Sequence, residues 1–71
     1  MRVKWENRAL HAFVAYIDGD TLQAWCGERD GWQAEYSDYT GDLTATHYGL
    51  PSERAAKREA VRMWRALRRS K

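Results

Sequence analysis

Apolar and polar residues alternate along most of the chain before residue 50, and the rhythm changes after it. Phe13, Ala15 and Ile17 share one side of the stretch 12–17, and Leu22, Ala24 and Cys26 share one side of the stretch 20–26. A period of two marks a half-buried strand. Asp18-Gly19 lies between these runs and fits a two-residue type I′ hairpin, in which both loop residues take positive φ. That loop pairs Ile17 with Asp20, Ala15 with Leu22 and Phe13 with Ala24. Val14, Tyr16, Thr21, Gln23 and Trp25 then form the opposite face.

Arg29-Asp30-Gly31 marks the next turn. A two-residue loop would set Cys26 against Glu35 and mix the two faces. A three-residue loop with left-handed Gly31 pairs Cys26 with Ala34 and Ala24 with Tyr36, and keeps them apart. The third strand, Trp32–Ser37, then buries Trp32, Ala34 and Tyr36 and exposes Gln33, Glu35 and Ser37. Asp38-Tyr39-Thr40-Gly41 turns the chain again, pairing Tyr36 with Leu43, Ala34 with Ala45 and Trp32 with His47. Leu43, Ala45 and His47 point inward, while Thr44, Thr46 and Tyr48 point outward. Pro51, which has no N–H for a ladder, closes the sheet region.

From Ser52 onward the period becomes helical. Ser52 caps the helix and Glu53 sits in its first turn. Ala56, Ala60, Met63, Trp64 and Leu67 fall within about 100° of arc, and Arg54, Arg58, Arg62, Arg65 and Arg69 within about 80° on the other side. The expected fold is α+β: an antiparallel three- to four-stranded β-meander with one C-terminal amphipathic α-helix packed on one face. Residues 1–71 form a single domain, with the sheet over 10–48 and the helix over 52–69. Residues 1–9 extend the first strand, with Trp5 over an end of the core.

Composition supports a small globular protein, with 44% hydrophobic residues and four Trp among 71 residues. The single Cys excludes an internal disulfide and fits a reducing compartment. No apolar run approaches the roughly 18 residues of a membrane span, and the first residues lack the apolar core of a signal peptide. The expected location is therefore cytoplasmic, with no membrane partner.

Charge divides the chain. Residues 52–71 hold eight Lys or Arg and two Glu, whereas residues 1–51 hold four basic and eight acidic residues. Such polarity governs steering and partner choice, and it favours a binding protein over an enzyme. No Walker loop, nucleophile elbow, HExxH or paired-Cys spacing is present. His11, Cys26 and His47 are conceivable as three metal ligands, but zinc asks for a fourth, and two partly buried histidines with a small apolar thiol explain them as well. No metal or cofactor is expected. Asp18, Asp20, Asp30, Asp38 and Asp42 cluster in turns, where Asp bonds the local backbone.

The arginine stripe is the sharpest candidate site. Guanidiniums at one-turn spacing can meet successive phosphates or an acidic protein patch, and only Glu59 offers a mid-helix counter-charge. A solvated face whose basic end suits the helix dipole is the plainer account. The outer sheet face is the second candidate. There Tyr16, Trp25, Tyr48 and Gln23, beside Val14, Gln33, Thr44 and Thr46, form an amphipathic patch. Ordinary β-propensity explains the same residues, and Glu35 on this face disfavours base stacking.

Asp30-Gly31-Trp32 at the start of a strand, and residues 51–60 (Pro-Ser-Glu-Arg-Ala-Ala-Lys-Arg-Glu-Ala) at the start of a terminal helix, resemble segments of small accessory proteins encoded by phages and prophages. The element order is also similar to the AP2 and integrase-arm DNA-binding domains, although those read DNA with basic strands and the strands here are acidic. Double-stranded RNA-binding domains share the helix-on-sheet packing but begin with a helix that this chain lacks. The phage resemblance implies a non-enzymatic effector that docks on and inhibits a host protein or nucleoprotein defence complex, as anti-CRISPR proteins do. Direct nucleic-acid binding through the arginine stripe is the alternative. Val61, outside the apolar sector, leaves room for a homodimer.

Overall fold

The Asp18-Gly19 hairpin forms as its residues dictate. In the computed structural model, which describes residues 3–27 and 31–68, Asp18 has φ 52° and Gly19 φ 87°. Ile17 faces Asp20, Ala15 faces Leu22 and Phe13 faces Ala24. Around this hairpin the chain builds β1 (Glu6–Ala9), β2 (Ala12–Ile17), β3 (Asp20–Gly27), β4 (Gly31–Ser37), β5 (Thr44–Leu50) and α1 (Glu53–Arg68). The strands form one antiparallel sheet in the order β1-β2-β3-β4-β5.

The sheet therefore has five strands, not three or four. The extra one is β1, which pairs with β2 through Glu6–Val14, Asn7–Phe13 and Ala9–Ala12 instead of extending it. All four of its residues are exposed, so its sequence carries no apolar alternation. Charged Glu6 and Arg8 on this edge strand disfavour pairing with another sheet. Just before it, Val3 and Trp5 pack against the core, as expected for Trp5.

Two registers differ from expectation: β3–β4 by two residues throughout, and β4–β5 by two residues as far as Ala34 but by three at Trp32, where the ladder is irregular. An even shift keeps side chains on their faces and an odd one does not. Cys26 faces Trp32 and Ala24 faces Ala34. This places the Trp32 ring against Phe13 (centroids 6.3 Å apart) and His11 (5.8 Å), contacts that local turn chemistry does not reveal. Gly31 takes the expected left-handed conformation, with φ 70°. In the last pairing Tyr36 faces Ala45, Ala34 faces His47 and Trp32 faces Leu50. Here the loop is longer than a tight turn. The Asp38 carboxylate accepts from the backbone N–H groups of Thr40 (3.1 Å) and Gly41 (2.8 Å) and from the Thr40 hydroxyl (2.8 Å), which holds the connection open until Thr44.

The helix is capped by Ser52, whose Oγ accepts from the Ala55 N–H at 3.1 Å. Its buried stripe is Ala56, Ala60, Met63 and Trp64, the last three of which cluster with Ala15, Leu22, Ala34 and Tyr36 of the sheet. Alanines on both sides (24, 34, 56 and 60, all fully buried) let helix and sheet approach closely, so that Trp64 fills the space between them at 2% exposure. Its burial contributes about 2–3 kcal/mol.

A buried carboxylate fixes this arrangement. Asp20, at 5% exposure, accepts from the Trp64 indole Nε1 (3.1 Å), the Tyr36 hydroxyl (3.3 Å) and the Tyr39 backbone N–H (3.0 Å). The turn role expected of Asp residues fits Asp38 but not Asp20, which ties α1 to β3 and β4. Opposite Ile17, it stands on the inner face that the hairpin register assigns to it.

Candidate functional site: the cationic face of α1

Each basic residue of α1 is placed by helical spacing, and the acids nearby decide which of them stay free. Arg54, Arg58 and Arg65 are exposed and form no ion pair among the described residues. Arg62 is different. Its Nε and Nη2 each lie 2.6 Å from an oxygen of Glu59, a bidentate pair. Glu59 also bonds His47 Nδ1 at 2.7 Å, and its side chain is only 12% exposed. The Arg62 guanidinium, helped by His47 and opposed by burial, lowers the Glu59 pKa to about 2. The same pairing raises the Arg62 pKa. Arg69 lies outside the described residues.

Two further cations flank the stripe. Lys57 bonds Glu53 at 2.7 Å, and its Nζ lies 3.9 Å from the Phe13 ring centroid and 5.6 Å from that of Trp5. Arg68 approaches Asp18 at 3.7 Å and packs on the Trp64 ring, 4.1 Å from its centroid. These contacts consume charge in holding the fold. Among the described residues the stripe keeps three guanidiniums without an ion pair, those of Arg54, Arg58 and Arg65.

Beside them runs a groove of about 600 Å³, lined by Val3, Trp5, Lys57, Arg58, Val61, Arg62 and Arg65. Its apolar part comes from the segment before β1 and from Val61. The sequence pattern set Trp5 over an end of the core but gave Val3 no place, because nothing in residues 1–9 fixes which side of α1 they flank.

The outer sheet face divides. Tyr16, Gln23 and Trp25 come together in a shallow groove of about 380 Å³ with Arg8, Ala12, Phe13 and Val14. Arg8 Nη2 donates to the Tyr16 hydroxyl at 3.3 Å. Tyr48, on edge strand β5, does not join them, although it is exposed. Val14 and Gln33, both assigned to this patch, are buried. The Gln33 amide fills the space left by Gly27, where a Cβ would lie 3.1 Å from Nε2.

The histidines and the thiol are not the partly buried trio expected. His11, Cys26 and His47 are all exposed, and His47 faces Ala34, not Trp32. Lys57 reaches Phe13 from the first turns of α1 and Trp64 reaches Asp20 near its end, so His11 and Cys26 lie past the helix N-terminus, uncovered. Among the described residues no three His, Cys, Asp or Glu converge as metal ligands. No helix among them is long and apolar enough to cross a membrane.

No protein-family model, curated protein or solved structure matches the chain.

Proposed function

We propose that the protein is a non-enzymatic binding module that docks, through the cationic face of α1, on an acidic surface of a host protein or nucleoprotein assembly and blocks it. A cytoplasmic, phage-type effector is the setting that this reading implies. The observation that carries it is the set of three exposed guanidiniums, Arg54, Arg58 and Arg65, that no carboxylate among the described residues neutralises. Arg54 and Arg58, one turn apart, repel each other along the helix, which a partner of opposite charge relieves. Guanidiniums also give bidentate bonds to carboxylate or phosphate, which suits recognition more than bulk solubility.

Affinity capture from host lysate, with and without nuclease, tests the proposal. A stoichiometric protein partner that survives nuclease treatment and disappears with Arg58→Glu plus Arg65→Glu supports it. A partner lost on nuclease treatment turns the assignment to direct nucleic-acid binding, the second use of the same stripe, with a steep fall of affinity in salt. A partner retained by the doubly reversed protein rejects docking through α1.

A further inference from the structure

The groove beside α1 has two chemistries in one place. Val3, Trp5 and Val61, all half-buried, give an apolar floor, and Lys57, Arg58, Arg62 and Arg65 give a cationic rim. Glu53 and Glu59 engage Lys57 and Arg62, which leaves Arg58 and Arg65 to face a ligand. Building on the docking role of α1 proposed above, we infer that this groove seats an acidic peptide segment of the partner. One large apolar side chain of that segment rests on Val3, Trp5 and Val61, and carboxylates on either side of it pair with Arg58 and Arg65.

The spacing selects a pattern. Arg58 and Arg65 are two helical turns apart, about 10 Å along the axis. In an extended peptide, residues two apart share a face, and four residues span about 13 Å. Acid, spacer, apolar residue, spacer, acid therefore sets both carboxylates within reach of the flexible guanidiniums and points the apolar side chain at the floor.

A nucleic-acid strand fits less well. Base stacking needs an open aromatic face, and the Lys57 ammonium already lies over the Trp5 ring at 5.6 Å.

The test uses a fluorescein-labelled peptide with Glu-Ser-Phe-Ser-Glu at its centre, a Ser-for-Phe version, a Gln-for-Glu version and an oligothymidylate, followed by anisotropy at low salt. The Phe peptide should bind about tenfold or more tighter than the Ser peptide, as expected for burying one aromatic side chain. Arg58→Gln plus Arg65→Gln, both exposed positions, should weaken it to the level of the Gln version. In amide–indole NMR spectra the Trp5 indole signal should move on peptide addition, while those of Trp25 and Trp64 stay. Equal binding of the Phe and Ser peptides, weakened by the Arg variant, overturns the apolar seat and leaves the cationic face standing. Binding that the Arg variant does not change sinks both. Movement of Trp25 instead of Trp5, tighter binding of the oligothymidylate, or a dimer that Val61→Ser dissociates without any peptide binding also overturns the inference.

Discussion

Replacing Asp20 by Ala should weaken the fold more than its place beside a turn implies. Three bonds end on this carboxylate, from Trp64 Nε1, the Tyr36 hydroxyl and the Tyr39 backbone. An indole has one donor and no acceptor, so Trp64, at 2% exposure, would be left with a stranded N–H. That alone costs about 1–3 kcal/mol, and the other two bonds to the carboxylate add about 1–2 kcal/mol together at their observed lengths. Removing the carboxylate also relieves its desolvation, so a net loss of about 2–4 kcal/mol is expected. A chain of 71 residues has about 4–11 kcal/mol in all. The loss is thus a large fraction of the total, and at the low end of that range it would bring the variant close to half-unfolded. Urea unfolding followed by tryptophan fluorescence and far-UV circular dichroism, with linear extrapolation, measures the loss. Asp20→Asn should fall between wild type and Ala, because its amide keeps one acceptor but turns donors toward donors. A loss below about 1 kcal/mol for Asp20→Ala, the size of an ordinary substitution, would refute the idea that this carboxylate locks helix to sheet.

Trp64→Ala should cost about 3–5 kcal/mol by denaturant titration, since it empties the centre of the helix–sheet interface. Gly19→Ala places a Cβ at φ 87° in the hairpin and should cost about 1 kcal/mol in the same titration. Glu59→Gln should remove a pH-dependent contribution. The folded pKa near 2 lies below the ordinary 4.5, so the stabilisation is complete above pH 4.5 and disappears as pH falls through 2. The difference in Tm between wild type and Glu59→Gln should therefore be largest near neutrality and shrink across that window. Arg58→Glu plus Arg65→Glu should leave stability within about 0.5 kcal/mol of wild type, since both side chains are exposed and unpaired.

Local chemistry in the sequence specified the β2–β3 hairpin, the inner positions Leu22, Ala24, Ala34 and Tyr36, the Ser52 cap and the buried stripe of α1, although Gln33, expected outward, is buried and His47, expected inward, is exposed. Each depends on near neighbours: Asp18-Gly19 for the turn, alternation for the faces, and the helical period for Ala56, Ala60, Met63 and Trp64. What stayed hidden depends on distant contacts. The pairing of Cys26 with Trp32 follows from the packing of Trp32 on Phe13 and His11, and the late start of β5 follows from the Asp38 loop. β1 was illegible because an exposed edge strand needs no apolar side. Asp20 carried a signal, its inward position opposite Ile17, which its turn-forming residue type masked. At the candidate site the arginine stripe was readable from period alone. Its thinning was legible in part, since Glu59 is the one mid-helix acid at local spacing from Arg62, but the His47 bond to Glu59 was not, since His47 arrives from β5. The Val3–Trp5 floor was hidden for the same reason, because the fold brings it from the opposite end of the chain.

The central claim, that the guanidinium side of α1 is the docking surface, is tested most directly by capturing host protein side by side with two variants: Arg54→Glu/Arg58→Glu/Arg65→Glu, and Tyr16→Ala/Tyr48→Ala on the outer sheet face. The account predicts that the helix variant recovers no partner while the sheet variant recovers as much as wild type. The reverse pattern, a partner kept by the helix variant and lost from the sheet variant, would contradict it.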